Sequence, residues 1–131
     1  MKSVFALLLV VVLAGCATPY QPFSNRWQQE GGYVEKQMAP DLFLVTFQGN
    51  EHSSREMVKD LTFLRSSEVC AQHGFSYFSI EEDASGAHGT GVFYSPFRTL
   101  RIRCYSESPA GAKTFQALDE IQTLKQKYHL N

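Results

Sequence analysis

Residues 42–74 read LFLVTFQGNEHSSREMVKDLTFLRSSEVCAQHG, a short apolar segment followed by a long amphipathic one. In residues 42–48 both alternating faces are largely apolar, which is typical of a strand inside a sheet. Ser53, with Glu56 three residues later, forms a capping box that starts a helix, and Gly74 suits the position just beyond the helix end. A central strand leading into a helix predicts a mixed fold of sheet and helices.

The segments on either side complete this fold. The other predicted elements are strands at residues 33–38, 75–81 and 98–105, a mobile glycine-containing loop at 82–94 and a helix from about 113 to 130. The resulting order is β-β-α-β-β-α. Amphipathic helices and half-apolar strands in this order predict an α+β two-layer sandwich, with one mainly antiparallel sheet and helices on one face.

The first fifteen residues predict a signal peptide. Lys2 precedes an apolar run over residues 4–13, and small residues lead from there to Cys16. A charged start, a short apolar core and a small-residue cleavage site are typical of secretory signals. The Leu-Ala-Gly-Cys ending resembles the bacterial lipobox, in which the cysteine is lipidated and the chain is cut before it. The alternatives are an ordinary signal peptide and a transmembrane helix, for which the run has about half of the roughly 20 residues needed.

Cys16 is therefore the predicted lipidation site. Residues 16–31 are predicted to be a lipidated tether, and residues 32–131 a single α+β domain. Tyr20, Phe23 and Trp27 in the tether are expected to pack on the domain or to lie at the bilayer interface. Bacterial lipoproteins carry three acyl chains on this cysteine, and two chains already give stable anchoring. Ala17 replaces the Asp that retains enteric lipoproteins at the inner membrane, which predicts the outer membrane, facing the periplasm, in a Gram-negative host.

Composition supports one small folded domain. The chain has 131 residues, of which 44% are hydrophobic and 13% aromatic, as in folded rather than disordered proteins. The formal net charge is −1, and loss of Lys2 with the signal makes the mature chain slightly more acidic. This balance argues against a nucleic-acid partner, which requires a clearly basic protein.

Two cysteines remain besides the lipidated one. Cys70 and Cys104 form an even pair in an oxidising compartment, so a disulfide is predicted. Two reduced buried thiols, or a redox-active pair, are the alternatives. On a helical wheel Cys70 lies opposite Leu61. The pairing therefore requires a helix that is covered on two sides.

The chain contains one basic cluster. Arg101 and Arg103 share a face of the last strand and are the candidate anion-binding residues, because paired guanidinium groups bind phosphate or carboxylate bidentately. The expected partner is an anionic envelope polymer or an envelope protein. Cross-strand pairing with Glu81 or Glu35 is the alternative.

Two further polar groups lie on the first helix. Arg65 and Glu68 are three residues apart, which predicts either an intrahelical ion pair or a buried polar pair that receives a ligand. Cys70 and His73 could supply half of a metal site or an activated thiol, but no second pair has ligand spacing. We therefore predict no metal, no cofactor and no catalytic residues. A small periplasmic hydrolase using Glu68 or His73 is the alternative.

Several separated motifs follow one another in a fixed order. They are Cys-Ala-Thr-x-Tyr at residues 16–20, Gly-Gly-Tyr at 31–33, Phe-x-Gly-Asn at 47–50, Arg-x-x-Glu at 65–68 and Gly-Phe-x-Tyr-Phe at 74–78. This pattern resembles a family of small, uncharacterised proteobacterial lipoproteins. The resemblance spans residue 16 to about 80 and implies localisation and fold, but no activity. We expect a membrane-anchored, periplasm-facing lipoprotein that is a non-enzymatic binding or envelope-structural protein.

Overall fold

A computed structural model describes residues 16–26 and 30–131, and the predicted signal peptide and Trp27 lie outside these residues. The elements are β1 (Gly32–Ala39), β2 (Leu42–Gln48), α1 (Arg55–Gln72), β3 (Tyr77–Thr90), β4 (Phe93–Tyr105), β5 (Phe115–Gln116) and α2 (Ala117–Lys127). The strands pair antiparallel in the spatial order β1-β2-β4-β3-β5. The α+β class is confirmed, with a short fifth strand added to the predicted order.

The core lies between the sheet and α1. Alternation along β2 buries Phe43, Val45 and Phe47, and the same alternation along β4 buries Leu100 and Ile102. Helix α1 crosses these two strands and also packs against α2. Its buried residues therefore cover more than one stripe of the helix surface, from Leu61 to Cys70. This is the two-sided covering that a Cys70–Cys104 contact requires.

The prediction of a loop at residues 82–94 is wrong. Strands β3 and β4 pair continuously up to Thr90 and Phe93, with only Gly91 and Val92 in the turn. Gly91 has φ of +65°, as the first central residue of a tight type II′ hairpin turn requires. The small and glycine residues of this segment have low strand propensity. Pairing with β4 along its whole length outweighs that propensity.

Helix boundaries also differ from the prediction. Ser54, rather than Ser53, is the N-cap of α1, and its hydroxyl accepts a hydrogen bond from the Met57 amide at 3.0 Å. Helix α2 begins at Ala117 instead of about residue 113, because Phe115 and Gln116 first pair with β3. None of the described helices is long and apolar enough to cross a membrane.

Residues 18–24 of the segment predicted as a tether pack on the domain. Thr18 is completely buried, and residues 21–24 form backbone hydrogen bonds with the chain around the start of β1. Gly32 has φ of +130°, and a Cβ there would overlap the carbonyl oxygen of Gln21. Only glycine lets the segment approach so closely, because it has no Cβ and tolerates positive φ.

Candidate functional site

Side chains from three distant motifs form one polar cluster at the edge of the sheet. This cluster, the Tyr20 cluster, consists of Tyr20, Tyr33, Glu35, Arg65 and Glu68. Arg65 donates from Nε to Glu35 at 3.1 Å and from Nη2 to the other oxygen of the same carboxylate. Its guanidinium lies 4.1 Å from the centre of the Tyr33 ring. Burial alone lowers the pKa of Arg65, but the hydrogen bonds and charge of Glu35 outweigh burial and raise it.

Tyr20 connects this cluster to the N-terminal segment. Its hydroxyl donates to Glu68, and its ring lies 5.0 Å from the Tyr33 ring and 6.4 Å from the Phe47 ring. Burial, followed by the hydrogen bond and charge of Glu68, raises the pKa of Tyr20. Arg65 and Glu68 thus bind different partners from other segments. Every member has a partner inside the cluster, and these contacts join the N-terminal segment to β1 and α1.

A second set of hydrogen bonds holds the residues next to Cys16. The Asn50 side-chain amide donates to the Cys16 carbonyl at 2.9 Å, and the Thr18 amide donates to the Ser53 hydroxyl at 3.2 Å. The Thr18 hydroxyl donates to the Glu30 carbonyl at 2.6 Å. Cys16 itself is exposed. The predicted lipidation site is therefore a solvent-exposed thiol two residues before a completely buried side chain.

Cys70 and Cys104 lie together in the core. Both are buried thiols, and each lies close enough to the other to shift its pKa. This contact lowers the pKa of Cys70 and raises that of Cys104, while Cys70 also donates to the Tyr77 carbonyl at 3.2 Å. The sequence predicted this pair as a disulfide. The proximity is what a disulfide needs, and the bond itself stays a prediction.

Arg101 and Arg103 lie on the sheet face that carries no helix. Arg103 donates to Glu81 at 2.6 Å and to both carboxylate oxygens of Asp41 at 3.2 Å. Arg101 pairs with Glu82 at 3.1 Å and with Glu81 at 3.4 Å. Three carboxylates thus surround two guanidinium groups, which does not favour a free anion there. The alternative prediction paired these arginines across strands with Glu81 or Glu35. The structure shows the pairing with Glu81, whereas Glu35 pairs with Arg65 instead.

Arg98 points to the opposite face and forms the floor of a cleft. It is only 6% exposed, and it binds Asp83 through Nε at 2.9 Å and Nη2 at 2.8 Å. Its Nη1 donates to the Lys59 carbonyl at 2.9 Å. This hydrogen-bonded ion pair lowers the pKa of Asp83. Arg98 links β4 to β3 through the carboxylate of Asp83, and it links β4 to α1 through the Lys59 carbonyl.

The cleft, which we call the Arg98 cleft, has a volume of about 500 Å³ between the start of α1 and the β3–β4 hairpin. Arg55 and Lys59 line it from the helix, and the Arg55 guanidinium lies 5.0 Å from the Tyr94 ring. The three cationic side chains outnumber the carboxylate of Asp83. Sequence reasoning missed this cleft because it took its hairpin wall to be a loop. Side chains alternate between the two faces of β4, which places Arg98 and Arg101 on opposite faces of the sheet. This alternation is the sequence signal that could have identified the cleft.

The two residues of the hydrolase alternative are engaged elsewhere. Glu68 accepts the Tyr20 hydrogen bond. His73 lies at the end of α1, with Nδ1 2.8 Å from the Val69 carbonyl and its ring 4.5 Å from that of Phe43. Neither residue lines the Arg98 cleft. Within residues 16–26 and 30–131, no group of three or more His, Cys, Asp or Glu side chains is arranged to hold a metal ion.

No protein-family model, curated protein or solved structure matches this chain.

Proposed function

We propose that this chain is a lipid-anchored protein of the bacterial cell envelope, which holds its domain close to the membrane surface and binds an anionic partner without catalysing a reaction. The lipobox ending at Cys16 and the resemblance to small proteobacterial lipoproteins support the anchor. Ala17, directly after the cysteine, supports a location at the outer membrane, with the domain facing the periplasm.

The burial of Thr18 is the observation that carries the proposal. A lipidated Cys16 would be separated from the packed part of the chain by Ala17 alone. The acyl chains would then restrict how far the domain can move from the bilayer, in contrast to a long tether. A domain held in this way is placed to bind components of the membrane surface.

The test is the substitution Cys16→Ser in the expressed precursor. We expect loss of labelling by radioactive palmitate and release of the protein from membranes in detergent-free extracts. Cys70→Ser is the matched control, because it removes a different thiol and leaves the lipobox intact; this variant should be labelled like wild type. Membrane fractionation of Cys16→Ser that equals wild type would refute the anchor.

The Arg98 cleft supports the binding part of the proposal. Its cationic lining complements a phosphate or carboxylate group, and a partly enclosed site strengthens such contacts relative to open water. Arg55 and Lys59 are exposed at the cleft, with the Arg55 guanidinium over the Tyr94 ring, whereas Arg98 is held by Asp83. The partner class is therefore an anionic envelope component that reaches this cleft.

A further inference from the structure

The β3–β4 hairpin extends beyond the rest of the sheet. The last pair between β2 and β4 is Gln48 with Phe97, and from there to the turn β3 and β4 pair only with each other. We call this extension, residues 87–96, the arm. Four strand residues on each side, at about 3.3 Å per residue, make it roughly 13 Å long.

The end of the arm is apolar and exposed. Val92 is 84% exposed and Phe93 is 69% exposed. Residues 84–97 contain no Asp, Glu, Lys or Arg, although Asp83 and Arg98 flank them directly, and the ring of the one histidine, His88, stacks on Phe97 at 4.7 Å. A large aromatic residue at the end of an uncharged hairpin is not explained by packing within the domain. Contiguous exposed apolar side chains are a feature of protein and membrane interaction sites.

The arm projects from the end of the sheet at which Cys16 is held. The Gly49 amide donates to the Pro96 carbonyl at the base of the arm at 2.8 Å. The next residue, Asn50, donates to the Cys16 carbonyl at 2.9 Å. Two consecutive residues therefore join the arm base to the predicted lipidation site. Acyl chains on Cys16 would bring a bilayer to this end of the molecule.

We propose that the tip of the arm, Val92 and Phe93, inserts into the bilayer that holds the acyl chains of Cys16, as a second membrane contact. This inference rests on the proposed lipid anchor. The absence of Asp, Glu, Lys and Arg along residues 84–97 favours lipid over a charged protein surface, because charged groups are costly in the bilayer. Insertion is shallow, since the unpaired backbone edges of the arm must stay hydrated or at the headgroup level.

The second contact has a consequence for orientation. A single anchor at Cys16 leaves the domain free to rotate about one point, whereas two contacts at the same end of the sheet define which surface faces the membrane. The Arg98 cleft shares Ala87, Tyr94 and Pro96 with the arm. Its cationic lining would then lie close to the headgroup layer. Binding through the arm is intramolecular once Cys16 is anchored, so a weak contact suffices.

The test places an environment-sensitive fluorophore, nitrobenzoxadiazole, on Val92→Cys in the mature lipidated protein. The protein is reconstituted into phosphatidylcholine vesicles with nitroxide quenchers on the acyl chains. The matched control carries the label on Ala110→Cys, an exposed position in the loop after β4 at the opposite end of the sheet. Wild-type protein treated in parallel corrects for reaction of the native thiols, and circular dichroism verifies folding.

We expect blue-shifted emission and several-fold stronger quenching at position 92 than at position 110, and Phe93→Ser should reduce the quenching at position 92. Equal quenching at both positions, in protein that floats with the vesicles, would overturn the arm contact and leave the anchor intact. Burial of the position 92 label only after envelope proteins are added would also overturn it, because the occupant would be a protein. Failure to float would refute the anchor and the arm contact together.

Discussion

Tyr20 is one of the residues that hold the N-terminal segment on the domain. It is the only member of the Tyr20 cluster that comes from the segment preceding β1. Its hydroxyl is the donor for a half-buried carboxylate, and its ring packs on Tyr33 and Phe47. Loss of the hydroxyl removes a hydrogen bond to a charged group, which contributes about 1.5–3 kcal/mol.

We expect Tyr20→Phe to lower the free energy of unfolding by about 2 kcal/mol near neutral pH. The pKa of Tyr20 is higher in the folded than in the unfolded chain, so its contribution is complete below the ordinary value of 10.0 and is lost as the pH rises above it. Stability of the variant should therefore fall less steeply above pH 10 than that of wild type. Urea unfolding between pH 8 and pH 11 measures both effects.

Tyr128→Phe is the comparison for this prediction. Burial, followed by a hydrogen bond to Asp60, raises the pKa of Tyr128 to about 12, so this phenol also adds to the alkaline slope. The Tyr128 ring lines a pocket with residues 17–20, but Tyr128→Phe keeps this ring and removes only the hydroxyl that donates to Asp60. The substitution should therefore leave proteolysis of residues 16–26 unchanged at neutral pH. Tyr20→Phe should accelerate that proteolysis. Equal proteolysis in the two variants would contradict the anchoring role of Tyr20.

The two core cysteines make the second prediction at this scale. Mature protein, denatured without reductant, should show no free thiol, because Cys16 is lipidated and Cys70 is joined to Cys104. Reduction should lower the free energy of unfolding by roughly 3–4 kcal/mol, since the bond restricts the unfolded chain. Thiol titration and urea unfolding check these outcomes. Two titratable thiols in the unreduced denatured chain would show that the pair is not bonded.

At the level of elements, the sequence predicted what depends on local pattern. Periodicity and capping placed α1 within two residues, and alternation placed β1 and β2. The hairpin was missed because glycine and small residues give no strand signal. The partners of Arg65 and Glu68 were missed because Glu35 and Tyr20 lie 30 and 48 residues away. In the sequence, the segments of Tyr20, Arg65 and Glu68 were related only by belonging to the same ordered set of motifs.

The close approach between the N-terminal segment and β1 gives a prediction about one glycine. Gly32→Ala adds a Cβ that overlaps the Gln21 carbonyl, at a φ of +130°. We expect a loss of at least about 2 kcal/mol and rapid proteolysis of residues 16–26, because both strain and overlap oppose docking. Gly111→Ala is the matched control: its φ is +77°, but no atom lies within 4 Å of the new Cβ. Gly111→Ala should lower the free energy of unfolding by about 1 kcal/mol and leave residues 16–26 protected from proteolysis. Protection of these residues in both variants would contradict the overlap at Gly32.

For the whole molecule, the distribution of charge separates two surfaces. On the open sheet face, Arg101 and Arg103 pair with Glu81, Glu82 and Asp41, so these two guanidinium groups are already neutralised. The Arg98 cleft keeps Arg55 and Lys59 available at the end of the molecule that carries Cys16. Composition could not reveal this, because the chain is nearly neutral overall. The separation follows from which side of β4 each arginine occupies.

The binding prediction follows from that separation. In the Cys16→Ser chain, which removes membrane avidity, Arg55→Gln with Lys59→Gln should weaken binding to purified lipopolysaccharide. Two charge contacts of about 1 kcal/mol each amount to roughly 30-fold at low salt. The loss should shrink as salt rises, because screening acts over about 8 Å at physiological ionic strength. Titration by isothermal calorimetry at two salt concentrations measures the effect, with soluble peptidoglycan fragments as the carboxylate probe.

Lys36→Gln with Lys113→Gln is the matched control, because it removes the same charge from exposed positions that do not line the cleft. It should bind as the parent chain does. Both double variants should melt close to the parent, since exposed charges contribute little to stability. An equal loss of affinity in the two double variants would mean that net charge, and not the cleft, governs binding. Unchanged affinity in the cleft variant would refute the cleft as the anion site. The partner would then have to bind on the open sheet face. Binding there requires Arg101 and Arg103 first to release their carboxylates.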